Sequence, residues 1–229
     1  VHSRRTEPRQ WGDTYRRDSA VESWRGANGV NQVRAEGESI HAGSLWLAAG
    51  PWSSQVLAGL PLSLERKVMA WVDPIDPECY LPGKMPVFMF EEKSFYGFPH
   101  RQGRGVKVAI DTKSGDAVGD PAGIRPVDYD DLTPIASLVA KYLPKLGRST
   151  ESALARIRDS KTCLYTMTQD CHFIIDRHPE YPNVHFAAGF SGHGFKFAPA
   201  VGQALADLTL DGRTSLPVEF LQLAGRFAD

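Results

Sequence analysis

The stretch NVHFAAGFSGHGFKFAPAVGQALADL, which runs from Asn183 to Leu208, decides how this chain folds. It starts with an apolar run typical of a buried strand and continues into a loop with three glycines. Pro199 follows the loop, where the first turn of a helix tolerates its missing N–H. The stretch therefore predicts a strand, a glycine loop and a helix in direct succession. The apolar positions that give the helical spacing are Phe197, Val201, Leu205 and Leu208.

The composition limits the classes of protein to which the chain can belong. With 229 residues, 42% of them hydrophobic and 23% charged, it can bury one large core, or one large and one small. Its 26 basic and 27 acidic residues leave a net charge of −1, which argues against nucleic acid or an anionic membrane as a partner. The three cysteines lack the spacing of a disulfide framework, and neither a membrane-length apolar run nor a signal peptide is visible. We expect a globular, cytoplasmic protein with small-molecule ligands.

The first twenty residues are polar, rich in arginine and without periodicity. They predict a poorly ordered segment, because few apolar side chains are available to offset the entropy lost on ordering. The chain also begins with Val1 rather than Met, so we expect that a preceding segment is absent from it.

Two kinds of pattern organise the region up to residue 110. The first predicts an α/β unit, with a strand at Leu45 to Ala49, a turn at Gly50 and Pro51, and a helix beginning near Ser53. Apolar and polar residues then alternate in four runs, which predicts antiparallel strands joined by short connections. The four runs are RKVMAWV, PVFMFE, SFYGFP and GVKVAI.

A helix and three further strands follow these runs. The helix is predicted from Asp130, with Gly147 as its stop signal, and it should pack on the sheet. Its apolar face consists of Ile135, Leu138, Val139, Tyr142 and Leu143. The strands are predicted at CLYTMT, HFIID and VHFAAGF. This order predicts a domain interrupted by another, with segments at 1–60, 61–157 and 158–229.

The glycine loop fits two other kinds of site only in part. Gly189, Ser191 and Gly192 match the start of a G-x-S-x-G nucleophile elbow, but the fifth position is His193. His193 is also the last histidine, and it is too close to the serine to fold back as the base, so a hydrolase is rejected. A metal site is disfavoured because no pair among the candidate ligands has zinc-ligand spacing. Those candidates are Cys171, His172, His178 and His193.

Lys196 bears on what the loop could hold. A helix N-terminus has free N–H groups and a positive dipole end, and Lys196 is predicted in the first turn, where a cation is unfavourable without an anionic partner. An equally acceptable interpretation is a solvated lysine beside a glycine turn chosen for its shape. The loop alone leaves both open.

Two motifs, GFSGHGFKFAPAVG and CLYTMTQDCHFIID, resemble the carboxy-terminal half of the monomeric sarcosine oxidase and N-methyl-L-tryptophan oxidase family. The resemblance continues through LAAGPWSSQVL, YGFP and GVKVAI in the family's order, over roughly Ser44 to Leu208. It implies a D-amino-acid-oxidase-like fold, with part of an α/β FAD domain and an antiparallel substrate domain. It also implies FAD-dependent oxidation of a secondary or N-methyl amino acid such as sarcosine, with oxygen as acceptor and peroxide as product.

The resemblance assigns three roles on the strands. Cys163 matches the cysteine that bonds the flavin, and Lys107 matches the lysine that activates oxygen. Tyr96 matches a tyrosine that lines the substrate pocket. If the resemblance is set aside, Cys163 is interpreted as an inert thiol in the core. Lys107 is then a lysine on a solvated face of the sheet, and Tyr96 an aromatic side chain packed in a strand.

The resemblance also assigns roles around the glycine loop. Lys196 matches the lysine that binds the substrate carboxylate, and His193 becomes a neighbour of the flavin. The loop backbone would lie against the flavin, where the helix dipole favours negative charge on the reduced ring. The cofactor-binding residues implied, besides Cys163, are Gly50, Trp52, Gly192, Gly194 and Phe195.

The chain departs from the family at several points. Asp111 stands where sarcosine oxidase has an active-site histidine, and Cys171 replaces an acidic residue, so the identity of the amine stays open. The G-x-G-x-x-G turn that holds the ADP half of FAD and the family's amino-terminal arginine are both missing. The sequence therefore predicts a truncated FAD-dependent amine oxidase that needs an amino-terminal half. A non-catalytic remnant that binds no flavin alone and a related flavin dehydrogenase are the alternatives.

Overall fold

The computed structural model describes residues 20–101, 103–111 and 115–227. The segment predicted to be poorly ordered lies almost entirely outside the described residues. The described strands are β1 (Val21–Ala27), β2 (Val30–Ala35), β3 (Glu38–Ala42), β4 (Leu45–Leu47), β5 (Ser63–Val72), β6 (Phe88–Phe90), β7 (Phe95–Arg101), β8 (Gly105–Ile110), β9 (Asp116–Val118), β10 (Ile157–Met167), β11 (Ile174–Arg177) and β12 (Val184–Ala188). The described α-helices are α1 (Ser53–Val56), α2 (Tyr129–Tyr142), α3 (Thr150–Leu154) and α4 (Ala198–Leu210).

The first sheet is an antiparallel meander of β1, β2 and β3. Each connection has two residues, Asn28-Gly29 and Glu36-Gly37, and all four have positive φ between 50° and 77°. Two consecutive residues with positive φ give the type I′ turn, whose twist matches that of the flanking strands. The two turns therefore fold residues 21–42 into a compact sheet.

The central sheet confirms the predicted antiparallel strands. Its order is β10-β5-β8-β7-β6, and β9 also pairs with β5. β6 and β7 form a hairpin over a 3₁₀ turn at Glu91–Lys93. β10 pairs with β5 from residue 157 to residue 167, so the predicted strand CLYTMT is the end of a longer strand of this sheet. The three segment boundaries predicted from the sequence stay predictions.

Helix α2 packs on one face of the central sheet, as the spacing of its apolar residues predicts. A reciprocal capping box fixes its start, because the side chains of Asp128 and Asp131 each accept a hydrogen bond from the other's backbone N–H. The helix ends at Tyr142. Side chains from the sheet and the helix then form the largest apolar core. Its buried members include Ala70, Val72, Phe95, Val106, Val108, Ile135, Val139 and Leu146.

A buried arginine ties β9 and the start of α2 to β5. The side chain of Arg66 is only 2% exposed, and it contacts Asp131 at 2.6 Å and Asp116 at 3.3 Å. Arg125 also contacts Asp131, at 2.7 Å. Hydrogen bonds from Arg66 and then from Arg125 hold the pKa of Asp131 well below its usual range. This network joins three elements that are far apart in sequence.

The third sheet has the order β11-β12-β4, with β12 antiparallel to β11 and parallel to β4. All five residues of β12 are buried. β4 ends at Leu47 rather than at the predicted Ala49, and α1 begins at Ser53 as predicted. Among the described residues, no helix is both long enough and apolar enough to cross a membrane.

Helix α4 follows β12 and the glycine loop, which confirms the predicted order of strand, loop and helix. Pro199 lies in its first turn, and Val201 and Leu205 are buried on the predicted face. The predicted position of Lys196 in this first turn is wrong. Lys196 lies in a separate 3₁₀ turn, Phe195–Phe197, because α4 begins only at Ala198.

Candidate functional site

The face of the central sheet opposite α2 carries Lys107. Because side chains alternate along a strand, burial of Val106 and Val108 under α2 turns Lys107 to the other face. Its ammonium nitrogen lies 5.8 Å from the centre of the Trp71 ring and 5.3 Å from the centre of the Phe98 ring. Lys107 is half-buried, so it is not simply a lysine on a wet sheet face.

Cys163 lies on the same face as Lys107. In the pairing of β10 with β5, Cys163 stands opposite Lys67. Trp71 lies four residues after Lys67 on β5, and it stands opposite Lys107 on β8. An even spacing along a strand keeps side chains on one face. Burial raises the pKa of the Cys163 thiol, and the positive charge of Lys107 opposes that rise. The thiol and the ammonium are thus close enough to interact.

Two tyrosines and a carboxylate complete this group of side chains. Burial is the main cause that raises the pKa of Tyr96 and of Tyr165, and the negative charge of Asp111 raises both further. The two hydroxyls also shift each other's pKa, so they lie close together. Both tyrosines therefore stay protonated at neutral pH and can donate hydrogen bonds.

The glycine loop is fixed on β10. Gly192 has a φ of +77°, and a Cβ built on it would overlap the ring of Tyr165. The backbone N–H of Ser191 donates to the carbonyl of Thr166 at 2.9 Å, and its hydroxyl accepts from the N–H of Thr168 at 3.3 Å. Ser191 is buried, and these hydrogen bonds bind the loop to the strand.

A cavity of about 530 Å³ lies between the loop, β10, α4 and the turn after β4. The predicted cofactor-binding residues that line it are Gly50, Cys163, Gly192, Gly194 and Phe195. Tyr165, which interacts with Tyr96, also lines it, so the cavity adjoins the face that carries Tyr96 and Lys107. Trp52, the remaining predicted cofactor residue, lies exposed at the end of the 3₁₀ turn Gly50–Trp52.

Lys196 and His193 line a second cavity, of about 610 Å³, together with Phe173 and Phe197. The ammonium of Lys196 lies 5.4 Å from the Phe197 ring. The imidazole of His193 lies 5.0 Å from the ring of Phe173, and its Nδ1 is 2.9 Å from the carbonyl oxygen of Ser191. The structure brings these two residues together but does not place them in the cavity lined by Cys163.

Two residues of the site were not singled out from the sequence. Tyr165 follows Cys163 by two positions, and this spacing alone places both on one face of a strand. Trp71 lies between the buried Ala70 and Val72, and the same alternation turns it away from α2. Strand periodicity was the signal in both cases.

The sequence of the chain is similar to those of known proteins. A family model described as FAD dependent oxidoreductase matches residues 8–208. The chain is 38% identical over 203 residues to monomeric sarcosine oxidase of Streptomyces avermitilis, a match that covers 83% of this chain and 50% of that protein. It is 33% identical over 189 residues to peroxisomal sarcosine oxidase of Homo sapiens, which covers 78% of this chain and 46% of that protein.

The fold is also similar to that of solved structures. L-proline dehydrogenase from P. horikoshii matches with a TM-score of 0.71 and 26% identity, over 89% of this chain and 52% of that one. The chain spans about half the length of the curated relatives it matches. The predicted fold, a partial D-amino-acid-oxidase-like fold with α/β and antiparallel parts, is confirmed.

Proposed function

Because this chain belongs to the FAD dependent oxidoreductase family, we propose that it forms one wall of the flavin and substrate site of an amine oxidase. The assembled protein would oxidise sarcosine or another N-methyl amino acid and reduce oxygen to peroxide. When bound, FAD supplies the acceptor for the hydride of the amine and the donor to oxygen. The observation that carries the proposal is the cavity that Cys163 lines together with the glycine loop.

The cavity fits one side of a flavin ring. Its volume of about 530 Å³ lies in the range of small-ligand sites. Gly50 and Gly202 line it, and each has open space where a Cβ would stand, so a flat ring can approach the backbone there. Phe195 also lines it and is 89% exposed, which leaves its ring free for an apolar contact. These residues would hold the ring end of FAD.

We further propose that Cys163 bonds the flavin covalently through a thioether. Cys163 lines the cavity, whereas Cys79 and Cys171 do not. A thiolate is the reactive form of cysteine, and burial disfavours it here. The charge of Lys107 acts in the opposite direction, so Lys107 would assist the attachment.

Lys107 and Tyr96 are proposed to serve the reaction from the sheet face. A half-buried positive charge between two aromatic rings is poorly screened by water, and it can stabilise negative charge that develops on oxygen. Tyr96 stays protonated and would line the substrate pocket as a hydrogen-bond donor. Asp111 acts on Tyr96 through its charge and would influence which amine is accepted.

Lys196 and His193 are proposed to act from the turn between the two cavities. Phe195 lines the first cavity and Lys196 the second, so this single turn borders both. The flexible four-carbon side chain of Lys196 can reach from there toward a substrate carboxylate. His193, held by the carbonyl of Ser191, would lie beside the flavin.

An amino-terminal half is proposed to complete the FAD site. Within the described part of the chain, β4 is the last strand on its side of the third sheet. Trp46 on this strand and Trp52 after it are both exposed, as expected for a surface that another segment covers. The pyrophosphate of FAD would rest on the first strand-to-helix turn of that half.

A flavin dehydrogenase is the second candidate, and the similarity to L-proline dehydrogenase supports it. The two functions differ in the final electron acceptor. This chain should be co-expressed with the amino-terminal half of the Streptomyces avermitilis relative, and the complex assayed with sarcosine and other N-methyl amino acids. Peroxide formation supports the oxidase, whereas turnover with a dye acceptor but without peroxide supports the dehydrogenase. A flavin-loaded complex without turnover in either assay contradicts both.

A further inference from the structure

Cys79 lies beside Lys145 at a place unrelated to the flavin cavity. Cys79 belongs to a 3₁₀ turn, Pro77–Tyr80, that follows β5, and Lys145 lies three residues beyond the end of α2. The backbone N–H of Ile75 donates to the carbonyl of Lys145 at 2.8 Å. The two segments are therefore held together by the backbone, independently of the side chains.

The side chains of Cys79, Lys145 and Asp76 form a compact cluster. Cys79 Sγ lies 2.8 Å from Lys145 Nζ and 2.9 Å from Asp76 Oδ2, and Lys145 Nζ lies 3.5 Å from the same carboxylate oxygen. The thiol can thus donate to the carboxylate while its sulfur accepts from the ammonium. Hydrogen bonding to Cys79 lowers the pKa of Asp76 and raises that of Lys145, which favours the charged forms of both.

We propose that Cys79 and Lys145 form a reversible covalent sulfur–nitrogen bond when the protein meets hydrogen peroxide. First, the sulfur attacks one peroxide oxygen and the O–O bond breaks. The departing hydroxide takes the thiol proton and leaves as water, and Cys79 becomes a sulfenic acid. The Lys145 ammonium gives one proton to the solvent, and the free amine attacks this sulfur. The attacking nitrogen passes a second proton to the departing hydroxyl of the sulfenic acid, which leaves as a second water. The sulfur is oxidised, the peroxide is reduced, and the protein has lost two hydrogen atoms relative to the neutral thiol and amine.

The position of the amine distinguishes Cys79 from the other two cysteines. A sulfenic acid condenses with whichever nucleophile is nearest, and here that nucleophile is already at contact distance. Cys163 is half-buried with a raised pKa, and Cys171 is exposed, so the two serve as internal comparisons.

The bond would join the turn after β5 to the end of α2. These segments are 66 residues apart along the chain. A covalent link across such a loop restricts the unfolded chain more than the folded one. The linked protein should therefore have a higher Tm than the reduced protein, and dithiothreitol should reverse the change. The inference rests on the contacts of this cluster and does not depend on the proposed flavin chemistry.

The test is peptide mapping by mass spectrometry after treatment of the folded protein with hydrogen peroxide. The expected product is a pair of peptides, one with Cys79 and one with Lys145, joined with the loss of two hydrogen atoms and separated again by dithiothreitol. It should be absent in Cys79→Ser, and absent after the same treatment in urea, where the two side chains are no longer held together.

Lys145→Arg is the matched variant, because arginine keeps the positive charge but stays protonated and cannot attack. In this variant the sulfenic acid at Cys79 should accumulate and be trapped by dimedone. If the unmodified protein gives only trapped sulfenic acid without the peptide pair, the proposal is wrong.

Discussion

Gly192 lies so close to the ring of Tyr165 that no side chain fits between them. Its φ of +77° also belongs to a region that residues with a Cβ rarely adopt. Tyr165 is two residues from Cys163 on β10, so this contact fixes the glycine loop relative to the thiol. The distance between β10 and the glycine loop, which form two walls of the cavity, depends on this contact.

Gly192→Ala should therefore lower the free energy of unfolding by about 1–3 kcal/mol, because the methyl group adds backbone strain and overlaps the tyrosine ring. Chemical denaturation measures the change. Gly202→Ala is the matched control, since Gly202 lies in α4 with open space at its Cβ position. Alanine is the better helix former by about 1 kcal/mol, so this variant should be no less stable than the parent. Equal losses in both variants would show that the contact with Tyr165 has no special role.

Much of the fold could be predicted because local periodicity changes along the chain. The strand β12, the loop and α4 follow from apolar spacing that shifts from a strand to a helix, with Pro199 and the glycines marking the boundary. Strand alternation likewise turns Lys107 away from the core, whereas Cys163 by itself was interpreted as an inert core thiol. The cavity that they adjoin was implied by resemblance to a family rather than by the spacing.

Other features could not be predicted from local pattern. Most residues of β1, β2 and β3 are exposed, so these strands show no apolar alternation and only the Asn28-Gly29 turn marks them. The pairing of β10 with β5 joins residues that are 85 to 104 positions apart, and no local signal specifies such a partner. Lys196 was misplaced because Pro199 fixes its own φ but not the conformation of the turn before it.

The buried ion pair of Arg66 and Asp131 should contribute strongly to stability. The two side chains are 2% and 8% exposed, and removing the charge of Asp131 leaves Arg66 with only the exposed Asp116, 3.3 Å away, as an ionic partner. Asp131→Asn should lower the free energy of unfolding by about 3 kcal/mol at neutral pH. Glu92→Gln, which removes a partner of Lys93 in an exposed pair 3.6 Å apart, should cost less than about 1 kcal/mol.

The same pair predicts how stability depends on pH. The pKa of Asp131 is lower in the folded protein than in the unfolded chain, so the unfolded chain takes up the proton first. The contribution of the Arg66–Asp131 pair to the free energy of unfolding should be complete above about pH 5, and it should be lost as the pH falls below the ordinary carboxyl pKa of about 4. Urea denaturation at several pH values should show a shallower acid dependence for Asp131→Asn than for the parent. Identical acid dependence in the two proteins would assign the effect to other carboxylates, such as Asp170, whose pKa is lowered by a hydrogen bond from Arg226.

Lys107→Met should separate the two halves of the reaction in a flavin-loaded complex. Because the charge of Lys107 is proposed to act on oxygen, the reaction with oxygen should slow by about 10²-fold or more. Anaerobic reaction with the amine should change much less. Stopped-flow absorbance measures both rates, and equal slowing of the two would assign Lys107 a structural role instead.

Lys196→Ala should weaken the binding of carboxylate ligands to the same complex, because it removes an ion pair made in the ground state. A raised KM with little change in kcat is the expected pattern. Lys93→Ala is the control, since Lys93 lies in the 3₁₀ turn between β6 and β7 and lines neither cavity. If Lys196→Ala leaves both constants unchanged, Lys196 stays at the second cavity and does not contact the substrate.

The most direct measurement concerns where the flavin goes when the protein is unfolded. The chain is purified with its amino-terminal half supplied, precipitated with acid, and the absorbance of pellet and supernatant is compared. Covalent attachment through Cys163 predicts that the flavin remains in the pellet, and that Cys163→Ala moves it into the supernatant while Cys79→Ala and Cys171→Ala do not. Flavin found wholly in the supernatant of the parent protein, or retained in the pellet of Cys163→Ala, would contradict the account.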